Sequence, residues 1–363
     1  MGLRPYSDTA RAPAIVACES AWWFVVIVSA PVVVDAVLNA KQVSPRTTWW
    51  TVVVKTSTND IFGIGEVSDA ELFGDLRSIF IQAKTLVTGR TLEEARAALG
   101  RWWRAQDPGP PRLLRSTVAG GVEMALWDAE GRILGEPVWR LLGSATPPES
   151  VRAYANINRA CIDRTPEAFA ELAIRAIRDG FVTVKLAPFD NSTADEGRRS
   201  IEAVRAAVGD GIEILVDCHH RLTAEQLSDL MPSLEATNVG WLEDIPSEVQ
   251  TRLPIAGGEL FTTEEEIAAA DLDWFLPDVK HAGGIAPSLA LVKAALRRGC
   301  RIAPHNPTGP VATAASLQLA ALFESDVVLE FQYGETAARP SPEFGRLPIP
   351  RGPGLGLDSA AFE

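Results

Sequence analysis

The chain has 363 residues, which allows two domains, or one (β/α)8 barrel of about 250 residues with a smaller partner. With 47% hydrophobic and 22% charged residues it is globular, excluding collagen-like, coiled-coil and wholly disordered classes. A net charge of -13, from 34 Lys plus Arg against 47 Asp plus Glu, repels phosphate backbones and anionic lipid, so neither nucleic acid nor a membrane is expected as a partner. The four cysteines (Cys18, Cys161, Cys218, Cys300) form no CxxC pair and suggest neither a zinc site nor a disulfide framework, which fits the cytoplasm.

From the N-terminus, the most apolar run covers residues 21–34, is interrupted by Pro31, and is too short to cross a bilayer. It reads as a buried strand or as a signal-peptide core preceding Ser29-Ala30. Strand-like segments follow between Val32 and Glu66, separated by turn-rich residues 42–48 and by Asn59-Asp60, as in an antiparallel meander. Helical periodicity then occupies residues 75–87, 91–104 and 113–134, completing an α+β domain over residues 1–150. After Gly143-Ser-Ala-Thr-Pro-Pro148 the rhythm becomes short apolar strands alternating with helix-length segments. Eight strands ending near Asn156, Lys185, Asp217, Glu243, Glu259, Asp278, His305 and Glu330 predict an α/β fold with a (β/α)8 barrel over residues 151–334. The Pro- and Gly-rich segment 335–363 is expected to return to the first domain.

In such a barrel the chemistry lies at the C-terminal strand ends, so a polar residue closing an apolar run is a site candidate. Ile214-Leu-Val-Asp217, Gly240-Trp-Leu-Glu243 and Ile255-Ala-Gly-Gly-Glu259 put carboxylates on three consecutive ends, about 5 Å apart from strand to strand. Three like charges invite a hard cation, and an all-oxygen set suggests Mg2+ as cofactor. Each carboxylate taken singly could also cap a helix or pair with a cation. His305 follows Arg301-Ile-Ala-Pro304 beside the strand ending in Asp278, so carboxylate and imidazole can form a base dyad. His219 lies two residues past Asp217 and, by strand alternation, on the same side of the chain, where a second proton-transfer group is useful. His220 reads as structural or as a hydrogen-bond donor behind the site. Lys185 reads as an ion-pair partner of the ligand carboxylates or as a cation for the substrate carboxylate, and Glu330 as a donor if neighbouring carboxylates raise its pKa. Gly283-Gly284 is a helix entry that could hold an anion.

These residues resemble the enolase superfamily, in its mandelate racemase branch, over nearly the whole chain. Ala125-Leu-Trp-Asp128 with Gly135-Glu-Pro-Val-Trp-Arg-Leu-Leu-Gly143 is similar to that family's capping-domain helix and exit, and Pro353-Gly-Leu-Gly356 with Asp358 to its C-terminal return. Asp217, Glu243 and Glu259 match its three metal ligands, and the spacing of Asp278, Gly283 and His305 resembles its Asp/His dyad. Asp217-Cys-His219-His-Arg-Leu-Thr223 and His305-Asn-Pro-Thr-Gly-Pro310 look most like the galactonate- and mannonate-type acid-sugar dehydratases. The resemblance implies a modified TIM barrel under an N-terminal α+β capping domain, Mg2+ dependence, a small-molecule sugar-acid substrate and a homo-oligomer. It implies His305 as base and His219 as the acid that expels a hydroxyl, giving a 2-keto-3-deoxy acid.

Three departures qualify that resemblance. The second-strand position of a lysine base is Ala187 and its sixth-strand counterpart is His281, which disfavours a two-base racemase. Glu243 and Glu259 are only 16 residues apart, so the fourth helix must be very short, with Glu264 to Glu266 as alternative ligands. The first 30 residues match nothing in the family. The competing readings are an epimerase, racemase or lactone cycloisomerase on the same fold, and a non-catalytic binding protein. Specificity is expected from residues 42–50 and 66–73 closing over the barrel mouth, with Arg46 meeting a distal carboxylate. The tryptophan pairs at 22–23, 49–50 and 102–103 offer apolar surface for subunit contacts.

Overall fold

The computed structural model describes residues 30–58, 61–323, 327–336 and 343–358. Residues 1–29, with most of the apolar N-terminal run, Cys18 and the first tryptophan pair, lie outside the described residues. Strands β1 (Val33–Gln42), β2 (Thr48–Thr56) and β3 (Phe62–Glu66) form the expected antiparallel meander in the order β1-β2-β3. Helices α1 (Leu76–Val87), α2 (Leu92–Arg104) and α3 (Pro110–Leu134) pack on it, and the short α4 (Val138–Leu141) leads out. The meander meets α3 backbone to backbone: a side chain on Gly65 would collide with the Gly121 carbonyl, and one on Gly63 with that of Ala125.

The barrel runs β4 (Ser150–Asn156), α5 (Pro166–Arg178), β5 (Thr183–Leu186), α6 (Ala194–Val208), β6 (Glu213–Asp217), α7 (Ala224–Ala236), β7 (Val239–Glu243), β8 (Ile255–Gly257), α8 (Glu264–Ala269), β9 (Trp274–Phe275), α9 (Ile285–Arg297), β10 (Arg301–Ile302), α10 (Pro310–Ala320) and β11 (Val328–Gln332). Its eight strands pair in parallel in the order β10-β9-β8-β7-β6-β5-β4-β11, and the Glu330 N–H donates to the Pro304 carbonyl at 3.2 Å across the remaining gap. Threonine caps explain several helix starts: Thr91, Thr193, Thr223 and Thr263 each form a reciprocal box with the Glu or Gln three residues on. Inside the barrel Tyr154, Trp241 and Trp274 pack with Leu215, Leu276, Val328 and two alanines as a plug beneath the mouth.

Two expectations change. No helix joins β7 to β8; the link is a loop containing Pro246 and Pro254, so the fourth helix is absent rather than short. Strands β8, β9 and β10 end two or three residues before Glu259, Asp278 and His305, which therefore stand on the loops that follow. The C-terminal segment forms β12 (Arg346–Pro348), which pairs antiparallel with β4, and then docks on the end of α3. There Asp128 accepts the Leu355 N–H at 2.7 Å, and Gly354 exchanges backbone bonds with Glu136 and Val138. Among the described residues no helix is long and apolar enough to cross a membrane.

Candidate active site

Lys185 on β5 is the hub of the barrel mouth. Its side chain is 1% exposed, yet Nζ lies 2.9 Å from Glu243 Oε1, 3.0 Å from Glu330 Oε1 and 3.6 Å from Asp217 Oδ2. Burying an ammonium is costly unless opposite charge surrounds it. Burial here works against the cation, but Glu243 and Glu330 outweigh it and raise Lys185 well above its usual pKa. Glu330 is drawn down to about 2: burial opposes its charge, while Lys185, His305 and the Asn306 N–H favour it. It accepts from Asn156 Nδ2 and from the Asn306 N–H at 2.7 Å. The reading of Glu330 as a hydrogen-bond donor is thereby corrected, because its oxygens face donors on every side and the carboxylate stays ionised. Burial followed by Asp217 pushes Glu243 well up, against the pull of Lys185, so the excess negative charge of the cluster is least favoured there.

Asp278 and His305 meet as a dyad, with His305 Nδ1 2.9 Å from Asp278 Oδ2 and Nε2 left toward the cavity, 4.0 Å from Glu330. Asp278 is fully buried; burial opposes its charge, but His281, Lys280 and His305 hold it well below the usual carboxylate range. Burial likewise opposes a charged His305, yet Glu330 and Asp278 raise its pKa. His281, on the family's lysine position, bonds Thr117 Oγ1 at 3.0 Å and meets the edge of Phe73. Burial, against the pull of Asp278, pushes it down to about 4, so it is neutral near pH 7.

His219 stands where strand alternation places it, but for another reason. The chain leaves β6 at Asp217, and His219 and His220 both adopt left-handed backbone, with φ of 45° and 52°. The Asp217 carboxylate accepts the His219 N–H at 3.1 Å and anchors that turn. The ring is then clamped between two carboxylates, Nε2 2.9 Å from Asp217 and Nδ1 2.9 Å from Asp190. Burial disfavours its charge, but Asp217 and Asp190 push it up to about 11. His220 is largely exposed, 3.7 Å from Asp244, and not behind the site.

A cavity of about 520 Å³ joins these groups; Lys185, Asp217, His219, Glu259, His281 and His305 line it from the barrel side. Arg46, Asp69, Leu72 and Phe73 of the first domain close its roof, as the two expected loops. The first loop is pinned to the barrel by Glu335, which accepts from Ser44 Oγ at 2.7 Å and from Thr47. Arg159 and Arg164, which also line the cavity, pair with Asp69 and Asp190. The Arg46 guanidinium donates only to the Ile162 carbonyl among the described residues.

The three carboxylates expected to ligate a metal fit in chemistry more than in placement. Among the described residues no three such groups gather around one point. Glu243 turns to Lys185, Asp217 to His219 at 2.9 Å and then to Lys185 at 3.6 Å, and Glu259 makes no hydrogen bond or ion pair among the described residues. The set is nonetheless all oxygen and crowded with like charge. Beside it Asp244 is pushed up to about 8, by burial and then by Glu259 and Asp217. A hard dication suits such a set. Glu264 to Glu266 are not ligand alternatives, because they form the first turn of α8, where Glu266 caps the helix and Glu264 pairs with Arg297.

Residues 39–143 match the family described as mandelate racemase / muconate lactonizing enzyme, N-terminal domain, and residues 168–361 the one described as enolase C-terminal domain-like. The chain belongs to the enolase superfamily. D-gluconate dehydratase of Thermoproteus tenax is 30% identical over 88% of this chain and 70% of its own length. D-galactonate dehydratase of Ralstonia nicotianae is 30% identical over 74% of this chain and 82% of its own. Among solved structures, a mandelate racemase/muconate lactonizing enzyme from Jannaschia sp. CCS1 has 26% identity and a TM-score of 0.79, covering 91% of this chain and 96% of that one. An enolase superfamily member from Salmonella Typhimurium shares the fold at 18% identity and a TM-score of 0.78, covering 90% of this chain and 96% of that one.

Within this enolase-superfamily architecture, two features differ from the sequence expectations. The amides after Gly283-Gly284 hold no external anion site: Glu123 Oε2 accepts from Ile285 N at 2.8 Å and Oε1 from Ala286 N at 3.0 Å. Trp49 and Trp103 are core residues, and Trp50 lies under Arg77, so these pairs do not form an open apolar face. Asp190 touches His219 and Lys280 touches Asp278, the partner of His305; no motif singles either out, and only their placement after strands β5 and β9 marks them.

Proposed function

We propose that this chain is a divalent-metal-dependent dehydratase of a sugar acid. The observation that carries the reading is a single cavity lined by both a carboxylate-oriented imidazole, His305, and a carboxylate-clamped imidazole, His219, with a buried ammonium, Lys185, between the carboxylates at its floor. Asp217, Glu243 and Glu259 would hold the metal, which when bound supplies Lewis acidity toward the substrate carboxylate. Lys185 stabilises the charge that develops on that carboxylate as the neighbouring C–H is broken. His305, its Nδ1 fixed by Asp278, takes that proton on Nε2. His219 gives a proton to the β-hydroxyl, which leaves as water, and the enol tautomerises to a 2-keto-3-deoxy acid. The dehydratase names of the 30% identical relatives support the same reaction class. Ala187 at one lysine-base position and a His281 pushed down to about 4 at the other leave no strong second base, which speaks against a two-base epimerase.

Incubating the protein with Mg2+ and a library of mono- and diacid sugars, D-gluconate and D-galactonate included, should yield 2-keto-3-deoxy product by semicarbazide absorbance. A blank across the library with Mg2+ bound would overturn the dehydratase reading in favour of epimerisation or cycloisomerisation.

A further inference from the structure

Lys280 has a fully buried side chain in a place that core packing alone would fill with an apolar residue. Its Nζ lies 2.7 Å from Asp278 Oδ2, the same oxygen that lies 2.9 Å from His305 Nδ1. The other oxygen, Oδ1, accepts the backbone N–H groups of Lys280 at 2.7 Å and His281 at 3.3 Å. Asp278 is therefore held on both oxygens, and one of them is shared between an ammonium and the imidazole. Lys280 does not line the cavity and cannot touch substrate.

We propose that Lys280 is a positioning residue of the base: it locks the Asp278 carboxylate in the orientation His305 needs and, by sharing Oδ2, limits how basic the imidazole becomes. This inference rests on the reading of His305 as the base. A carboxylate that already neutralises an ammonium attracts an imidazolium less strongly than a free one, and a nearby cation disfavours a second. The other groups facing His305 are Glu330 at 4.0 Å, Lys185 behind Glu330, neutral His281 with ring centres 6.5 Å apart, and Glu259 on the cavity wall. Glu330, Asp278 and Glu259 all favour the imidazolium and burial opposes it; Lys280, held on the same Asp278 oxygen, adds to that opposition and keeps the base available near neutral pH.

The test is an NMR titration of the His305 ring nitrogens in the full chain with Mg2+ present. The protein has only four histidines, and His305→Asn identifies the signals. In Lys280→Met the His305 midpoint should rise by about one pH unit, and in Lys280→Arg it should return close to the wild-type value. Lys280→Gln, neutral but still a donor, should shift as Met does and is read if the Met variant does not fold. A midpoint that stays put or falls in the neutral variants, or that moves equally in the Arg variant, overturns the proposal. The titration needs no turnover, so it fails or succeeds independently of the sugar-acid screen.

Discussion

Two groups of buried carboxylates occupy this chain, and their partners differ. In the contact between the first domain and the barrel, Glu66 accepts from Gly309 N and Ala312 N at the start of α10, and Glu123 does the same for α9. Asp128 accepts from Ile64 N and Leu355 N and pairs with Arg132. Each of these anions is matched by backbone amides, often at the positive end of a helix. At the barrel mouth Asp217, Glu243 and Glu330 instead share one ammonium, and Glu259 has no partner among the described residues. The first set is matched by hydrogen bonds, although burial still raises Glu123 and Asp128, and it ties α9, α10 and the C-terminal segment to the first domain. The second is left with charge to spend on a cation and a substrate, which is how a functional cluster differs from a structural one.

Substitutions at the mouth should break activity while leaving the fold, and those at the domain contact should do the reverse. The largest effect is expected for His305→Asn: turnover down by about 10^4-fold and exchange of the substrate's α-proton lost with it. Lys185→Met should reduce kcat/KM by about 10^3-fold, since the ammonium is the one cation shared by three carboxylates. Retention of exchange in either variant would contradict the assignment. Glu123→Leu leaves the Ile285, Ala286 and Trp127 N–H groups without their acceptor and should cost about 2 kcal/mol or more by urea denaturation, with kcat of the folded protein near wild type. The smallest effect is expected for Asp190→Asn. Activity needs His305 neutral and His219 protonated, so kcat/KM should be bell-shaped in pH, rising through the His305 pKa and falling through that of His219. Asp190 is one of the groups that raise His219, so its loss should move the alkaline limb to lower pH and leave the acid limb in place. Movement of both limbs would sink that division of roles.

The barrel and its strand-end residues were legible because an apolar run closed by one polar residue is a local pattern. Asp217 and Glu243 close their strands in this way, whereas Asp278 and His305 stand on the loops three residues past β9 and β10. What escaped depends on partners distant in the chain: Glu66 meets amides 243 residues away, and nothing near it in sequence marks it as a helix cap. His219 reaches the cavity through an Asx-anchored left-handed turn and not through the strand alternation that its spacing from Asp217 suggests. Lys280 was hidden because a lysine after a strand end reads as solvated, and only its burial against Asp278 shows otherwise.

The most direct measurement is proton NMR in D2O of a turned-over sugar acid with wild type and His219→Asn in the presence of Mg2+. The wild type should form the 2-keto-3-deoxy product, and the variant should return uneliminated substrate carrying deuterium at the carbon beside the carboxylate. Normal dehydration by the variant, or deuterium in recovered substrate with no product from the wild type, would contradict the division of labour between His305 and His219.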